Sequence, residues 1–375
     1  MNTDKDILVI GGGIAGISAA ARLSPEAKVT VLEAEPVIGH HSSGRSAAIF
    51  IRNYGNATLR MLNAASAPFL ASPDEISDTS LLSPRGEMLV ATDEDLSQFD
   101  AYLDGSEGLE RLSSQQALEL VPILRQGAIA AAAIEWDAQD IDVDRMLQGF
   151  ARKFRGHGGQ IVTGTPVQSI VRRDGVWTVS TPNGDFTAPV LINAAGGWAD
   201  AVARMAGVRT LGLQPLRRSA ALIPAPAGHD VNRWPLFASA GDQWYAKPEA
   251  GKLMISPADE DPVDPHDVWA DDMVIAEGLH RYEQAVTTPV TRVEHCWAGM
   301  RTFAPDRTPV VGFAPDAEGF FWLAGQGGYG MQTAPALSQL AADLCLGRLA
   351  SLGQSVIEAL SPGRAALNLQ QGQNT

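Results

Sequence analysis

Cysteine is nearly missing from this 375-residue chain: Cys296 and Cys345 stand far apart and form no CxxC pair. That excludes a disulfide framework and a cysteine zinc centre, and it fits a reducing cytosol. Basic residues are also scarce, 28 Lys and Arg against 43 Asp and Glu, for a formal net charge of −15. No basic stripe is present, which argues against a nucleic-acid partner. Apolar runs fall short of the ~18 residues of a membrane span. The longest alanine-rich one, GAIAAAAI at 127–134, is too short. The start, MNTDKDILVIGGG, lacks the basic segment and small-residue cleavage site of a signal peptide. A soluble, cytoplasmic protein without an integral membrane segment is expected. No internal repeat is visible.

What is present, at 45% hydrophobic residues, is ample for a large core and two domains. DILVI (6–10) reads as a buried parallel strand, ISAAARL as a small-residue helix and KVTVLEAE (28–35) as a second strand ending in acid. A helix is expected over 64–69, and 83–96 reads as a strand, a turn and a capped helix start. Residues 140–162 give a helix, a glycine turn and a strand; 164–200 give strands joined by DG and NG turns. The proline-rich stretch 208–300 reads as mixed sheet and loop, and 320–347 as strand, glycine loop and helix. Pro335 is expected in that helix's first turn. The tail NLQQGQNT reads as disordered. The fold class expected is α/β, a discontinuous Rossmann-like domain with an inserted mixed-sheet α+β substrate domain. The pieces are 1–82, 140–206 and 300–365 for the first, and 83–139 and 207–299 for the second.

Gly11, Gly13 and Gly16 fit G-x-G-x-x-G between a strand and a helix. The first glycine permits the tight turn, the second lets backbone approach a pyrophosphate, and the third lets helix and strand pack closely. Glu33, 22 residues beyond Gly11, is placed to accept from ribose hydroxyls. This predicts a dinucleotide without separating FAD from NAD. The later segments favour FAD. VLINAAGGWAD (190–200) is a strand entering a small-residue turn, and GQGGYGMQT (325–333) is a second glycine-rich strand-to-helix junction. A helix N-terminus there would stabilise the negative charge of a reduced flavin.

Five segments in order, VIGGGIAG, HHSSGRSA, LINAAGGWAD, HCWAGMRTFAPDRTPVVG and FFWLAGQGGYGMQT, resemble the D-amino-acid oxidase family of flavoproteins, which includes glycine and sarcosine oxidases. Within it, LLSPRGEM, LGLQPLRRSA, WYAKPEAG and ISPADEDPVDPHDV are most similar to the D-arginine dehydrogenases. The resemblance spans nearly the whole chain. It implies non-covalent FAD and hydride transfer from a D-amino acid Cα to flavin N5, giving an imino acid and then a 2-oxo acid and ammonia. The electron acceptor is left open, a quinone or a redox protein among the choices. An O2-using oxidase of glycine, sarcosine or another secondary amine acid stays as an alternative, as does a 2-hydroxy-acid dehydrogenase.

The resemblance places cofactor contacts at Gly11, Gly13, Ile14, Ala15, Gly16, Glu33, Ser43, Arg45, Ser46, Ala47, Val167, Ala195, Gly196, Trp198, Gly299, Arg301, Gly327, Gly328, Tyr329, Gly330, Met331 and Gln332. Arg45 is expected to bring positive charge to the cofactor. Arg218 and Arg301 match the family's substrate arginines; a planar guanidinium grips a carboxylate bidentately. Arg217 and Arg218 are neighbours, so on a strand only one faces inward. Tyr54 and Tyr245 match phenols that assist at the carboxylate, and the Gly328 carbonyl would accept from the amine. Glu87 matches the acid facing a cationic side chain; the alternative is an exposed strand residue paired with Arg85. Ile49 replaces a family histidine and should shift the pocket toward apolar side chains.

The remaining candidates read as structural. Asp137, Asp140, Asp142 and Asp144 lack the calcium-loop pattern and suit capping and turns. His40 and His41, being adjacent, read as loop residues rather than a metal pair, and no metal is expected. His295 reads as structural and Cys296 as a small buried residue. Met254, with Lys252 nearby, aligns with the oxygen-activating lysine of the sarcosine oxidase branch, which favours a dehydrogenase.

Overall fold

The computed structural model describes residues 6–367, so the 368–375 tail lies outside the described residues. A six-stranded sheet runs in the order Val310–Phe313, Phe320–Ala324, Val190–Asn193, Asp6–Ile10, Lys28–Leu32, Gln160–Val162. Its pairings are parallel except for the hairpin of the first two strands. Parallel strands buried on both faces must be apolar at every position. Here Ile7 and Val9 pack to one side with the helices Ile14–Leu23, Val143–Gly156 and Gly330–Cys345, while Leu8 and Ile10 pack to the other with Ala199–Met205. A three-stranded antiparallel sheet, Ser169–Arg173, Val176–Thr181 and Gly184–Ala188, adds to that second side. The DG turn joining its first two strands holds Asp174 and Gly175 at positive φ, as such tight hairpins require.

A second, nine-stranded sheet draws on strands from Glu87–Ala91 to His295–Phe303. From the end carrying His295–Phe303 it continues through Gln214–Ile223, Lys252–Ser256, Tyr245–Glu249 and Leu236–Ser239 to Glu87–Ala91 and Ala131–Glu135. A small third sheet pairs Gln139–Ile141 with Ile49–Phe50 and Leu82–Pro84. The alanine-rich 127–134 run supplies the strand Ala131–Glu135.

Two local expectations need correction. The helix read over 64–69 spans Ala57–Ala71, because Asn56 caps it by accepting from the Leu59 N–H at 3.0 Å. Pro335 is the sixth residue of its helix, not part of the first turn, because that helix starts at Gly330, directly after the glycine loop. It therefore removes an internal helical hydrogen bond. The next amide, Ala336 N–H, donates to Ser66 Oγ at 3.2 Å, which ties the helix to its neighbour Ala57–Ala71.

Candidate functional site

The glycine loop packs against its surroundings so closely that side chains are excluded. A Cβ on Gly11, whose φ is 112°, would stand 2.3 Å from the Ala194 carbonyl oxygen, and one on Gly16 would stand 2.0 Å from that of Gly11. Glu33 is buried, with one carboxylate oxygen accepting from Gly12 N–H at 2.6 Å and the other from Glu35 N–H at 2.8 Å. Ser43 Oγ accepts from Ile14 N–H at 3.0 Å, so the serine of the 40–46 stretch closes over the N-terminus of the first helix. The positive end of that helix faces the same place, a setting made for an anion.

These groups border a cavity of about 450 Å³ that runs from the glycine loop to the face of the nine-stranded sheet. It is lined by most of the expected cofactor residues: Gly11, Gly13, Ile14, Ala15, Glu33, Ser43, Arg45, Ser46, Ala47, Val167, Ala195, Gly196, Trp198, Gly299, Arg301, Gly327, Gly328, Gly330 and Met331. Arg218 and Tyr245 line it too. Gly16, Tyr329 and Gln332 do not; they pack behind the wall. Gln332 is bonded to Asn63 at 2.7 Å, and the Tyr329 ring lies 4.8 Å from that of Tyr54. Tyr54, Glu87 and Ile49 do not line the cavity; Tyr54 touches its wall at Arg301, and Ile49 packs with Tyr245.

Arg45 departs from expectation. Its guanidinium donates to the Val268 and Ala298 carbonyls at 2.9 and 3.1 Å and pairs with Asp267, so its charge clamps the 267–268 segment beside the cavity. Adjacency also fails to keep His40 and His41 apart. Their rings meet edge to face, and one atom from each, with a Glu35 oxygen, lies within 4.8 Å of the others. His41 is held to Glu35 at 3.0 Å. Cys296 is half-buried and does not line the cavity, so covalent attachment there does not fit. His295 is exposed and stacks on Trp297. Asp142 caps a helix, and Asp140 pairs with Arg85 and Lys247. Lys252 is spent on Glu294, while Met254 lines the cavity.

The register of the large sheet sets which side chains face the cavity. Cross-strand partners and every second residue share a face. Leu216 pairs with Arg301, Arg218 with Gly299, Ala220 with Trp297, Met254 with Lys247, and Tyr245 with Ala238. Arg218 therefore faces the cavity, whereas Arg217 turns away to Asp259 and Asp261. Arg218 pairs with Glu260 at 3.0 Å, and Arg307 holds the same carboxylate through two donors at 2.8 and 3.0 Å. Burial pushes the Glu260 carboxyl up, but Arg307 and Arg218 hold it below its ordinary range. Arg301 is different. Among the described residues its one hydrogen bond runs from Nη1 to the Tyr54 hydroxyl, at 3.4 Å. Burial opposes its charge, yet Tyr54, Tyr245, Asp242 and Glu260 around it raise its pKa, so it stays a cation.

Glu87 is buried, only 8% exposed, and Arg85 is committed to Asp140, which removes the exposed-pair alternative. It faces Glu135 across the strand pair and the Tyr102 hydroxyl at 3.4 Å. Burial, then Glu135, pushes its pKa up to about 8. Ile49 packs on the same cluster as Tyr102 and Tyr245.

Sequence reading missed Glu135, Glu260, Asp242, Thr302 and Gln326. Among the described residues, Thr302 Oγ1, Gln326 Nε2, Arg218 Nε and His41 Nδ1 are buried without a hydrogen-bond partner, and all four residues line the one cavity. Buried polar groups are rarely left unpaired, so this wall is built for a polar ligand. With the anion-binding helix end and the Glu33 carboxylate at one pole, the donor set fits a flavin dinucleotide.

The parallel sheet, glycine loop and long polar cavity define a dinucleotide-binding oxidoreductase. The family model "FAD dependent oxidoreductase" matches residues 6–344, and the chain belongs to that family. Its cofactor is FAD. It is 23% identical to a glycine oxidase of Bacillus licheniformis over 364 residues, covering 92% of this chain and 94% of that protein. Solved structures share the fold. A glycine oxidase from Geobacillus kaustophilus matches with TM-score 0.80 at 22% identity, covering 94% and 97% of the two chains. An L-proline dehydrogenase from P. horikoshii matches with TM-score 0.82 at 20% identity over 99% of each. Among the described residues no helix is long and apolar enough to cross a membrane.

Proposed function

We propose that the chain is an FAD-dependent dehydrogenase of D-amino acids of the D-arginine dehydrogenase type, acting by oxidative deamination. Bound FAD supplies the hydride acceptor that turns the amino acid into an imino acid, which water hydrolyses to a 2-oxo acid and ammonia. The observation that carries the reading is Arg301, a cation on the cavity wall whose one hydrogen bond among the described residues is to a distant phenol. An enclosed guanidinium hydrogen-bonded to no carboxylate leaves its planar fork open to an anionic ligand, and a substrate carboxylate supplies it. Arg218 and the Tyr54 and Tyr245 phenols stand ready to share that carboxylate, fixing the Cα–H direction. Gly328, whose backbone lies against the Arg301 guanidinium, offers its carbonyl to the amine.

The same sheet face then leads from Tyr245 to Ala238 and Leu236, and from there to Glu87. Four strand spacings separate the Arg218 strand from the Glu87 strand, about 19 Å between backbones before side chains reach inward. That favours an amino acid with a long side chain over glycine. Ile49, packed with Tyr102 and Tyr245, adds apolar surface on that face, so D-Met should serve beside D-Arg and D-Lys.

The relatives named glycine oxidase favour the oxidase alternative. Met254 on the cavity wall, with Lys252 turned to Glu294, favours a dehydrogenase that hands electrons to a quinone or a redox protein. Stopped-flow mixing of the reduced enzyme with air decides between them. Slow reoxidation is expected, and reoxidation within milliseconds would overturn the dehydrogenase assignment.

A further inference from the structure

Arg218 is buried, at 8% exposure, with its Nη2 donating to Glu260 Oε1 at 3.0 Å and its Nε left without a hydrogen-bond partner. A guanidinium on a long stem has many rotamers to lose, so a clamp built on one needs its plane held. Two turns supply the hold. Just ahead of Glu260, Ala258 sits at φ 56°, with its N–H on Ser256 Oγ at 3.2 Å. Asp259 then accepts from the Ser219 N–H at 2.6 Å and from the Ser219 hydroxyl at 2.8 Å, which ties this turn to the residue beside Arg218.

On the other side stands Arg307, at φ 57°, in the turn that follows the strand His295–Phe303; its N–H reaches the Ala304 carbonyl at 2.8 Å. Its guanidinium lies 3.8 Å over the Phe303 ring and forks the Glu260 carboxylate at 2.8 and 3.0 Å. Phe303 is itself buried, and a Cβ on Gly327 would stand 2.2 Å from its ring. Left-handed backbone is uncommon outside glycine, and here two such residues serve one ion pair. Neither Glu260 nor Arg307 lines the cavity.

We propose that Glu260 and Arg307 are positioning residues: Phe303, Arg307 and Glu260 form a brace that turns the Nε–H edge of Arg218 toward the substrate carboxylate. This rests on the reading of an amino-acid substrate. The rival role for Glu260 is that of a counter-ion alone. Its removal would then leave the wall more positive and tighten every carboxylate. The brace predicts the opposite sign. Asp242, exposed on the turn between the strands Leu236–Ser239 and Tyr245–Glu249, senses Arg218 first among the neighbouring arginines. Without Glu260, Arg218 is drawn to that carboxylate, and its Nε turns from the substrate.

The test is a double-mutant cycle in the holoenzyme: Glu260→Ala, Arg307→Ala and both together. The readouts are kcat and KM for D-Met, and the Kd of pentanoate from its perturbation of the flavin spectrum. Glu260→Ala should raise that Kd and lower kcat/KM, each by about tenfold. Arg307→Ala leaves Arg218 its partner and should cost about threefold. The double variant should match Glu260→Ala alone within about twofold, because Arg307 acts through Glu260. Glu260→Gln keeps an acceptor oxygen and should recover part of the loss. FAD content and Tm should stay near wild type, since the Glu260 and Arg307 side chains are 30% and 46% exposed. Tighter pentanoate binding in Glu260→Ala makes Glu260 a counter-ion and overturns the brace, as do additive losses in the cycle. Absence of pentanoate binding to wild type removes the clamp and the brace with it. If D-Met fails to bleach the flavin while pentanoate obeys the cycle, the deamination reading falls and the brace stands.

Discussion

Replacing Arg301 by alanine isolates the carboxylate clamp. Among the described residues the side chain donates to no carboxylate, and its Tyr54 contact is long. Removing it therefore breaks little within the protein, while the substrate carboxylate loses a planar two-pronged donor. Hydrogen bonds to charged groups are worth about 1.5–3 kcal/mol each. Two of them, partly replaced by Arg218, give a loss of about 3–4 kcal/mol, or two to three decades in kcat/KM. The assay is anaerobic stopped-flow bleaching of the flavin against D-Arg concentration, with FAD content and Tm recorded alongside. FAD content should hold, and Tm should fall only modestly, since the Asp242 and Glu260 charges lose a cation that they surround without hydrogen-bonding. Arg301→Lys, which keeps the charge but not the fork, should fall between wild type and alanine. A loss under tenfold, or loss of FAD in step with activity, would show that Arg301 does not grip the substrate.

Three further outcomes follow from the cavity. Gly16→Ala forces a Cβ against the Gly11 carbonyl and should yield protein without bound FAD, read as absent yellow colour after purification. Gln326→Leu and Thr302→Val each remove an orphaned polar group from the wall and should raise the Kd for FAD by about five- to tenfold, near 1 kcal/mol. Glu33→Gln should weaken FAD further, because Gly12 N–H loses a charged acceptor as well; unchanged affinity would detach Glu33 from the ribose.

The dinucleotide end was legible because its parts are contiguous. A strand, three glycines, a helix and an acid announce themselves within about thirty residues. Ser43 was found for the same reason, through a short motif, although its bond to Ile14 was not. Arg45 shows the limit of that approach. The structure places it on the cavity wall, but its partner Asp267 lies more than two hundred residues on. The substrate end is built by register. Glu135 closes an alanine-rich strand with no catalytic signature, and only its pairing with Glu87 gives it meaning. Glu260 is likewise placed by Arg218 and Arg307, each more than forty residues away. Thr302 and Gln326 became visible only as buried groups without partners.

The central claim is most directly tested by adding the D and L forms of arginine, lysine and methionine, with glycine and sarcosine, to the oxidised holoenzyme without oxygen. The D forms should bleach the flavin and release one ammonia per two electrons to an artificial acceptor, with the L forms and glycine inert. Bleaching by glycine or sarcosine alone, or by L-amino acids, would contradict the account.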